Sequence, residues 1–375
     1  MERFIFKHEE WERMYNCDLI DVNSIPIAER RHIVAGITLV LMTIVLELLY
    51  LPCLIVISRH TQHPCYRIML FIGIFDCCSM LFTGIYTGLG LSSGFVFCSN
   101  PTLIYLAGVA GTSLWAVVSL SSLILAANRC VEVISSYWGR KLFEGQKVKL
   151  WLVAPCLYGL FVVWTANPGL LNSIYTAWMF HPHVGYLRNS NNEFVQPVHY
   201  LNNAFVTICL PLLYLMFGIS LSIQRSFLKR LNSTDERNSL IDKYSTFVQV
   251  LLISLLNVVV SILYIYIQYA NSPVLFLLAT FSWLGVHGFP AIIYLSLNRV
   301  IRSGAWKLIK SSFFISHTSM TVSMATTSSQ PQSTKQIEYS MNPVVFSVSL
   351  VVAGQPSTIA VPPLLHPNRL PALER

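Results

Sequence analysis

Charge is scarce in this chain. Asp, Glu, Lys and Arg make up 11% of its 375 residues, hydrophobic residues make up 54%, and the mean hydropathy is +0.57. A soluble domain carries roughly a quarter of its residues charged, so the shortage excludes a water-soluble globular protein of this length and leaves a polytopic membrane protein. The first 32 residues lack the apolar core that a cleavable signal peptide needs. The first apolar run is therefore expected to act as its own insertion signal. One half of the chain does not repeat the other, and the weak internal symmetry of many transporters is missing. No HExxH or comparable catalytic spacing occurs, which argues against an enzyme and gives no reason to expect a metal or a cofactor. The last apolar run holds no Lys for a retinal Schiff base.

What the chain has instead is seven long apolar runs, at residues 33–57, 67–91, 102–128, 149–168, 199–223, 245–269 and 274–297. A helix needs about 20 such residues to cross roughly 30 Å of hydrocarbon, and runs of this length exclude barrel strands of about 10 alternating residues. The fold expected is an all-α membrane protein, a seven-transmembrane helix bundle over residues 33–298. Lys and Arg concentrate in alternate connections: Arg59 and Arg67, then Arg129, Arg140, Lys141, Lys147 and Lys149, then Arg225, Lys229, Arg230, Arg237 and Lys243, then Arg299, Arg302, Lys307 and Lys310. Cations resist translocation. The amino terminus is expected outside and the carboxyl terminus in the cytoplasm, although Arg30 and Arg31 dissent from the otherwise net-negative segment 1–32. The net charge of +8 then reflects topology and not nucleic-acid binding.

Beyond the bundle, residues 299–310 place Val300, Ile301, Trp306 and Leu308 or Ile309 near one face, with cations opposite. This is the pattern of a juxtamembrane amphipathic helix. Residues 311–375 turn rich in Ser and Thr and are expected to form a disordered cytoplasmic tail. Within it the run VVFSVSLVV, 344–352, is too short to span a membrane. The sequon at Asn232 falls on the cytoplasmic side and is expected to stay unmodified. Of nine cysteines, Cys53, Cys77, Cys78, Cys130, Cys156 and Cys209 lie in or beside helices as small apolar packers, and Cys65 faces the cytosol. Cys17 and Cys98 remain in segments placed outside, either bridged or as two free thiols. His181 and His183, in FHPHVG, offer metal-ligand chemistry but also fit as ordinary loop histidines.

Inside the runs, Asp76 costs about 2.5–3.5 kcal/mol in mid-membrane and should face a polar interior. Glu47 reads as a neutral, hydrogen-bonded carboxyl. Stepping back from Arg129 by three or four residues gives Leu125, Ser122, Val118, Trp115, Gly111 and Gly108 on one inward stripe. Gly108 and Gly111 either leave room for a ligand beside Trp115 or let helices pack closely. Tyr264 and Trp283 are candidate aromatic walls, with Tyr86, Tyr105, Tyr266 and His287 as further contributors. Arg129 itself, taken alone, fits a side chain snorkelling to headgroups.

The segments LYLPCL (49–54), YRIMLFIGIFD (66–76), GFVFCSNP (94–101), NRC (128–130) and HGFPAIIYLSLN (287–298) occur in this order on the seven runs. Over about residues 14–310 the chain resembles the nematode serpentine chemoreceptors of class T, within the rhodopsin-like superfamily of G-protein-coupled receptors. The resemblance implies a chemosensory receptor that binds an extracellular small-molecule cue and activates a heterotrimeric G protein. It implies a plasma-membrane location, in sensory neuron cilia, with membrane lipids around the bundle and kinases and arrestin at the tail. Asn128 and Arg129 would couple to the G protein, and Asp76, Asn257, Pro290 and Tyr294 would form a transmembrane polar network. The alternative is a multi-pass small-solute transporter.

Several residues depart from the superfamily's pattern. Asn128 replaces the usual acid before the arginine, so Arg129 must be restrained from elsewhere. Phe289 stands for the usual Asn, and Tyr294 follows Pro290 by four residues, not three, which turns its hydroxyl by about 100°. The sixth run has neither Trp nor Pro. The second extracellular loop, 169–198, has no Cys, which leaves Cys17 as the partner to consider for Cys98.

Overall fold

The computed structural model describes residues 1–18, 20–186, 194, 196–228, 234–270, 272–311, 337–341 and 344–348. Seven helices are long and apolar enough to cross a membrane. Helix one is Ile33–Ser58. Helix two is Pro64–Met80 continued through a π-helical turn, Leu81–Tyr86, into Thr87–Ser93. Helices three to seven are Pro101–Ile134, Lys147–Thr165, Pro197–Leu228, Thr234–Tyr266 and Pro273–Leu297. Proline opens helices two, three, five and seven, where its missing N–H costs nothing and its fixed φ suits the first turn. The Asn100 side chain accepts the Leu103 N–H at 3.1 Å and caps helix three.

Helix three runs through the centre, against helices two, four and five, while helix seven closes the ring against helices six, one and two. The apolar surface is turned outward: Leu201, Phe205, Ile208, Leu212 and Leu215 are each more than half exposed along one stripe of helix five, where lipid would solvate them. The largest differences from the apolar runs are the end of helix three and the start of helix six. Helix three continues to Ile134, so Arg129 lies more than a turn inside the helix and not at its end. Helix six begins at Thr234, well before the apolar run.

Residues 299–311 form a helix. Its Ile301 and Ala305 are buried, and Gly304 lets it approach Val56 of helix one. Val300, Trp306 and Ile309 are exposed. The expected apolar face therefore divides, one part docking on the bundle and the other left free, because a helix on a surface meets two different solvents.

Residues 311–375 form a separate unit, in which Ile337–Met341 pairs antiparallel with Val344–Val348. The unassigned apolar run thus supplies the second strand. The expectation of disorder for the remainder of that segment falls outside the described residues, as does Asn232.

Candidate functional site

The connection between helices four and five forms a hairpin, Leu170–Asn172 with Ala177–Met179, in which Leu171 faces Trp178. Its turn holds Thr176 at φ 52°, a conformation that a β-branched residue adopts only under constraint. The constraint is visible: Thr280 Oγ1 of helix seven donates to the Thr176 carbonyl at 2.7 Å. Trp178 Nε1 donates to Thr87 Oγ1 of helix two at 3.0 Å, and Ser173 N donates to the Phe95 carbonyl at 2.9 Å. These bonds fix the hairpin as a roof over the amino-terminal end of the bundle.

Beneath it lies a cavity of about 20 Å³ for water-sized molecules, walled by Trp115, Trp178, Phe180, His199, Tyr264 and Trp283. That is room for one water, so a larger guest requires the walls to part. The rings interlock: Trp283 stands 5.5 Å from Trp178 and 5.3 Å from Tyr264, edge to face in both cases. Trp115, Tyr264 and Trp283 were expected at a pocket and line this one. A Cβ on Gly111 would meet only the tip of the Trp283 ring, at 3.3 Å. Gly108 sits elsewhere: a Cβ there would lie 2.1 Å from the Gly169 carbonyl oxygen. It serves close packing against the loop backbone, not a ligand space. Trp178, Phe180 and His199 were not anticipated. The signal was the apolar content of LLNSIYTAWMF (170–180), unusual for a solvated loop.

The cavity floor leads inward. Trp115 Nε1 donates to Asn203 Oδ1 at 2.9 Å, and the Trp115 ring stands 6.2 Å from His287. His287 Nδ1 lies 2.8 Å from Asp76 Oδ1, and Tyr50 Oη donates to Asp76 Oδ2 at 2.8 Å. Tyr294 packs edge-on to Tyr50 at 6.4 Å, and Pro290 is buried in helix seven. Of the expected network, Asp76 and Tyr294 thus meet through Tyr50, which the sequence reading had not included. Asn257 is not brought to them; its Nδ2 donates to Ile253 O of its own helix at 2.9 Å, and its Oδ1 has no partner among the described residues.

At the opposite, basic end, Arg129 Nη1 donates to Glu132 Oε2 at 2.9 Å, and Asn128 Nδ2 to Glu132 Oε1 at 3.3 Å. The carboxylate missing beside Arg129 is supplied one turn later on the same helix, the i,i+3 spacing that brings side chains together. Arg129 Nε is buried without a partner among the described residues.

Over the amino-terminal end, the helices Glu2–Phe6 and His8–Met14 form a cap. Tyr15 is buried and packs 5.1 Å from Tyr105 of helix three, and Trp11 lies 5.6 Å from the same ring. Cys17 and Cys98 are joined, with Cα atoms 5.5 Å apart. A His183 ring nitrogen lies within 4.8 Å of both sulfurs, but sulfurs bonded to each other offer no thiolate to a metal. Burial, and then the neighbouring His181, push the His183 imidazole down to about 4.

The sequence pattern described as serpentine type 7TM GPCR chemoreceptor Srt matches residues 2–317. Serpentine receptor class T-55 of Caenorhabditis elegans is 24% identical over 249 residues, which span 65% of this chain and 65% of that receptor's length. The crystal structure of squid rhodopsin superposes with a TM-score of 0.53 at 12% identity, covering 77% of this chain and 87% of the rhodopsin chain. At that identity the likeness concerns the fold.

Proposed function

The chain belongs to the serpentine type 7TM GPCR chemoreceptor family Srt, and from that premise we propose that it detects an extracellular small molecule and activates a heterotrimeric G protein. The observation that carries this reading is the continuous path of side chains from the roofed aromatic cavity through Trp115, His287, Asp76 and Tyr50 to Tyr294. A guest that parts the cavity walls favours a second arrangement of the bundle. Arg129, released from Glu132, then meets the G protein at the basic end.

In this reading the amino-terminal end faces outward, the basic connections face the cytoplasm, and the receptor resides in the plasma membrane of a sensory cilium. Kinases and arrestin would act on the Ser/Thr-rich tail, and Trp306 and Ile309 would contact lipid. Solute transport gains no support from Asp76, whose two oxygens are both engaged in a buried site. The test is signalling in cells that carry a promiscuous G protein, exposed to a panel of small volatile and water-soluble compounds. Wild type and Arg129→Ala are compared at matched surface expression. Activation of the wild type that is lost in the variant supports the reading. A response that survives Arg129→Ala reduces that residue to a topology anchor, and uptake of a compound without signalling replaces the receptor reading with transport.

A further inference from the structure

The cavity fixes the chemistry of its guest through the hydrogen-bond direction of its floor. An indole N–H can only donate, so the Asn203 atom facing Trp115 Nε1 at 2.9 Å is the carbonyl oxygen. The amide orientation does not then depend on distinguishing O from N by position. The other end of the amide, Nδ2, therefore donates, and its partner at 3.0 Å is His199 Nε2. An accepting Nε2 means a neutral imidazole whose proton sits on Nδ1.

The same direction carries on into the neighbouring amide. Asn203 Oδ1 can only accept, so the Asn202 atom 3.2 Å from it is Nδ2 and donates, and Asn202 Oδ1 faces the Tyr158 hydroxyl at 3.2 Å and that of Ser119, which also reaches the Ala116 carbonyl, at 3.1 Å. The His199 side chain is thus held by helices three, four and five. The residue is 9% exposed and stands in the cavity wall, and its Nδ1–H takes no protein acceptor among the described residues.

No Asp, Glu, Lys or Arg lines the cavity. An ion of either sign would lose its hydration there without a counter-charge. The five aromatic walls would welcome a cation by their π faces, but the lining supplies no carboxylate to balance its charge.

We propose that the ligand is a small, uncharged, largely apolar molecule with one strong hydrogen-bond acceptor, a carbonyl or its equivalent, received by His199 Nδ1–H. The proposal rests on the reading of this cavity as the ligand site. His199 is its specificity-determining residue, because an analogue without the acceptor leaves a buried donor unpaired.

The experiment uses the full chain in lipid nanodiscs, with tryptophan emission as the readout, since Trp115, Trp178 and Trp283 all wall the cavity. The probes are acetophenone, ethylbenzene, phenyltrimethylammonium and benzoate. Acetophenone gives a saturable change, ethylbenzene binds about tenfold more weakly, and the two ions give none. His199→Phe abolishes the preference for acetophenone, and His199→Gln, which can still donate, restores part of it. Nitrogen-15 spectra of labelled histidine, assigned against His199→Phe, show Nδ1 protonated and Nε2 bare in the wild type.

The proposal falls if acetophenone does not bind, if ethylbenzene or an ion binds as well, if the preference survives His199→Phe, or if the opposite tautomer is found. The cavity reading is judged apart from it, by whether cellular responses to agonists are lost in surface-expressed Trp115→Leu and Trp283→Leu receptors. Agonists that need those residues but carry a charge or no acceptor overturn the ligand class and spare the cavity.

Discussion

Asp76 of helix two and His287 of helix seven meet at 2.8 Å, with side chains 1% and 0% exposed. Tyr50 of helix one takes the remaining carboxylate oxygen, so three helices are joined at one buried group. Removing one partner of such a pair strands the other in a low-dielectric site and costs about 3–5 kcal/mol, while replacing both by apolar groups is often close to neutral. Asp76→Leu and His287→Phe are each expected to lower the unfolding midpoint in detergent sharply, and the double variant to be more stable than the sum of the two predicts. Simple additivity would show that the two side chains do not act as a pair.

Arg129 is held by Glu132 in a position that is partly open to solvent, 20% and 32% exposed. A fully exposed ion pair contributes about 0.2–1 kcal/mol and this half-buried one, with Arg129 Nε buried, at least that, so losing it shifts a two-state equilibrium by at least roughly 1.5- to 5-fold. Glu132→Gln should raise ligand-free signalling by that factor at equal surface expression, with Arg129→Ala silent in the same assay. Unchanged basal signalling in Glu132→Gln would mean that the pair is formed in both states.

The seven spans and the inward stripe of helix three were legible because lipid demands long apolar runs and an α-helix repeats every 3.6 residues. Trp115 is legible from that repeat, while Tyr264 and Trp283 stand out only as aromatic residues of helices six and seven; all three line the cavity. The partners of the polar residues were not. Tyr50 and His287 reach Asp76 across sequence separations of 26 and 211 residues, and no local pattern encodes a contact of that range. Asn202 and Asn203 carried a readable warning, since two amides in an apolar helix are costly unless bonded, but their bonding direction required the geometry. The roof was missed because the alternation that marks a strand extends over only three residues on each side of its turn.

His183 lies under the amino-terminal cap, packed against Phe97 and Tyr186. Its ordinary value of 6.5 falls to about 4 through burial and the charge of His181. The folded cap therefore holds the ring neutral, while an opened cap lets it take up a proton below pH 6.5. Stability from this group is complete above about pH 6.5 and is lost as pH falls toward 4. The protection factors of residues 1–18, exchange rates corrected for the intrinsic pH dependence of amide exchange, should fall across that window in the wild type and show a flatter profile in His183→Leu. An equal pH response in both would assign the effect to other groups.

Two glycines three residues apart on helix three separate packing from ligand space. A Cβ on Gly108 would be 2.1 Å from the Gly169 carbonyl oxygen and 3.2 Å from its carbon. Backbone cannot yield as a side-chain tip can, so Gly108→Ala must push the loop away from the helix. The bond from Gly169 N to Thr112 Oγ1, 3.2 Å, is strained in consequence, and overpacking of this kind costs about 1–3 kcal/mol. The expected result is reduced surface expression and a weakened response to every agonist, because the roof over the cavity is displaced. Gly111→Ala adds a methyl that meets only the far edge of Trp283 at 3.3 Å, and a shift of a few tenths of an ångström relieves it. That variant should reach the surface at wild-type levels and lose sensitivity most for the bulkiest agonists, since the cavity has lost volume and not its walls. If Gly108→Ala were as well expressed as Gly111→Ala and equally responsive, the loop would not be anchored by close approach to helix three, and its role as the roof would fail with it.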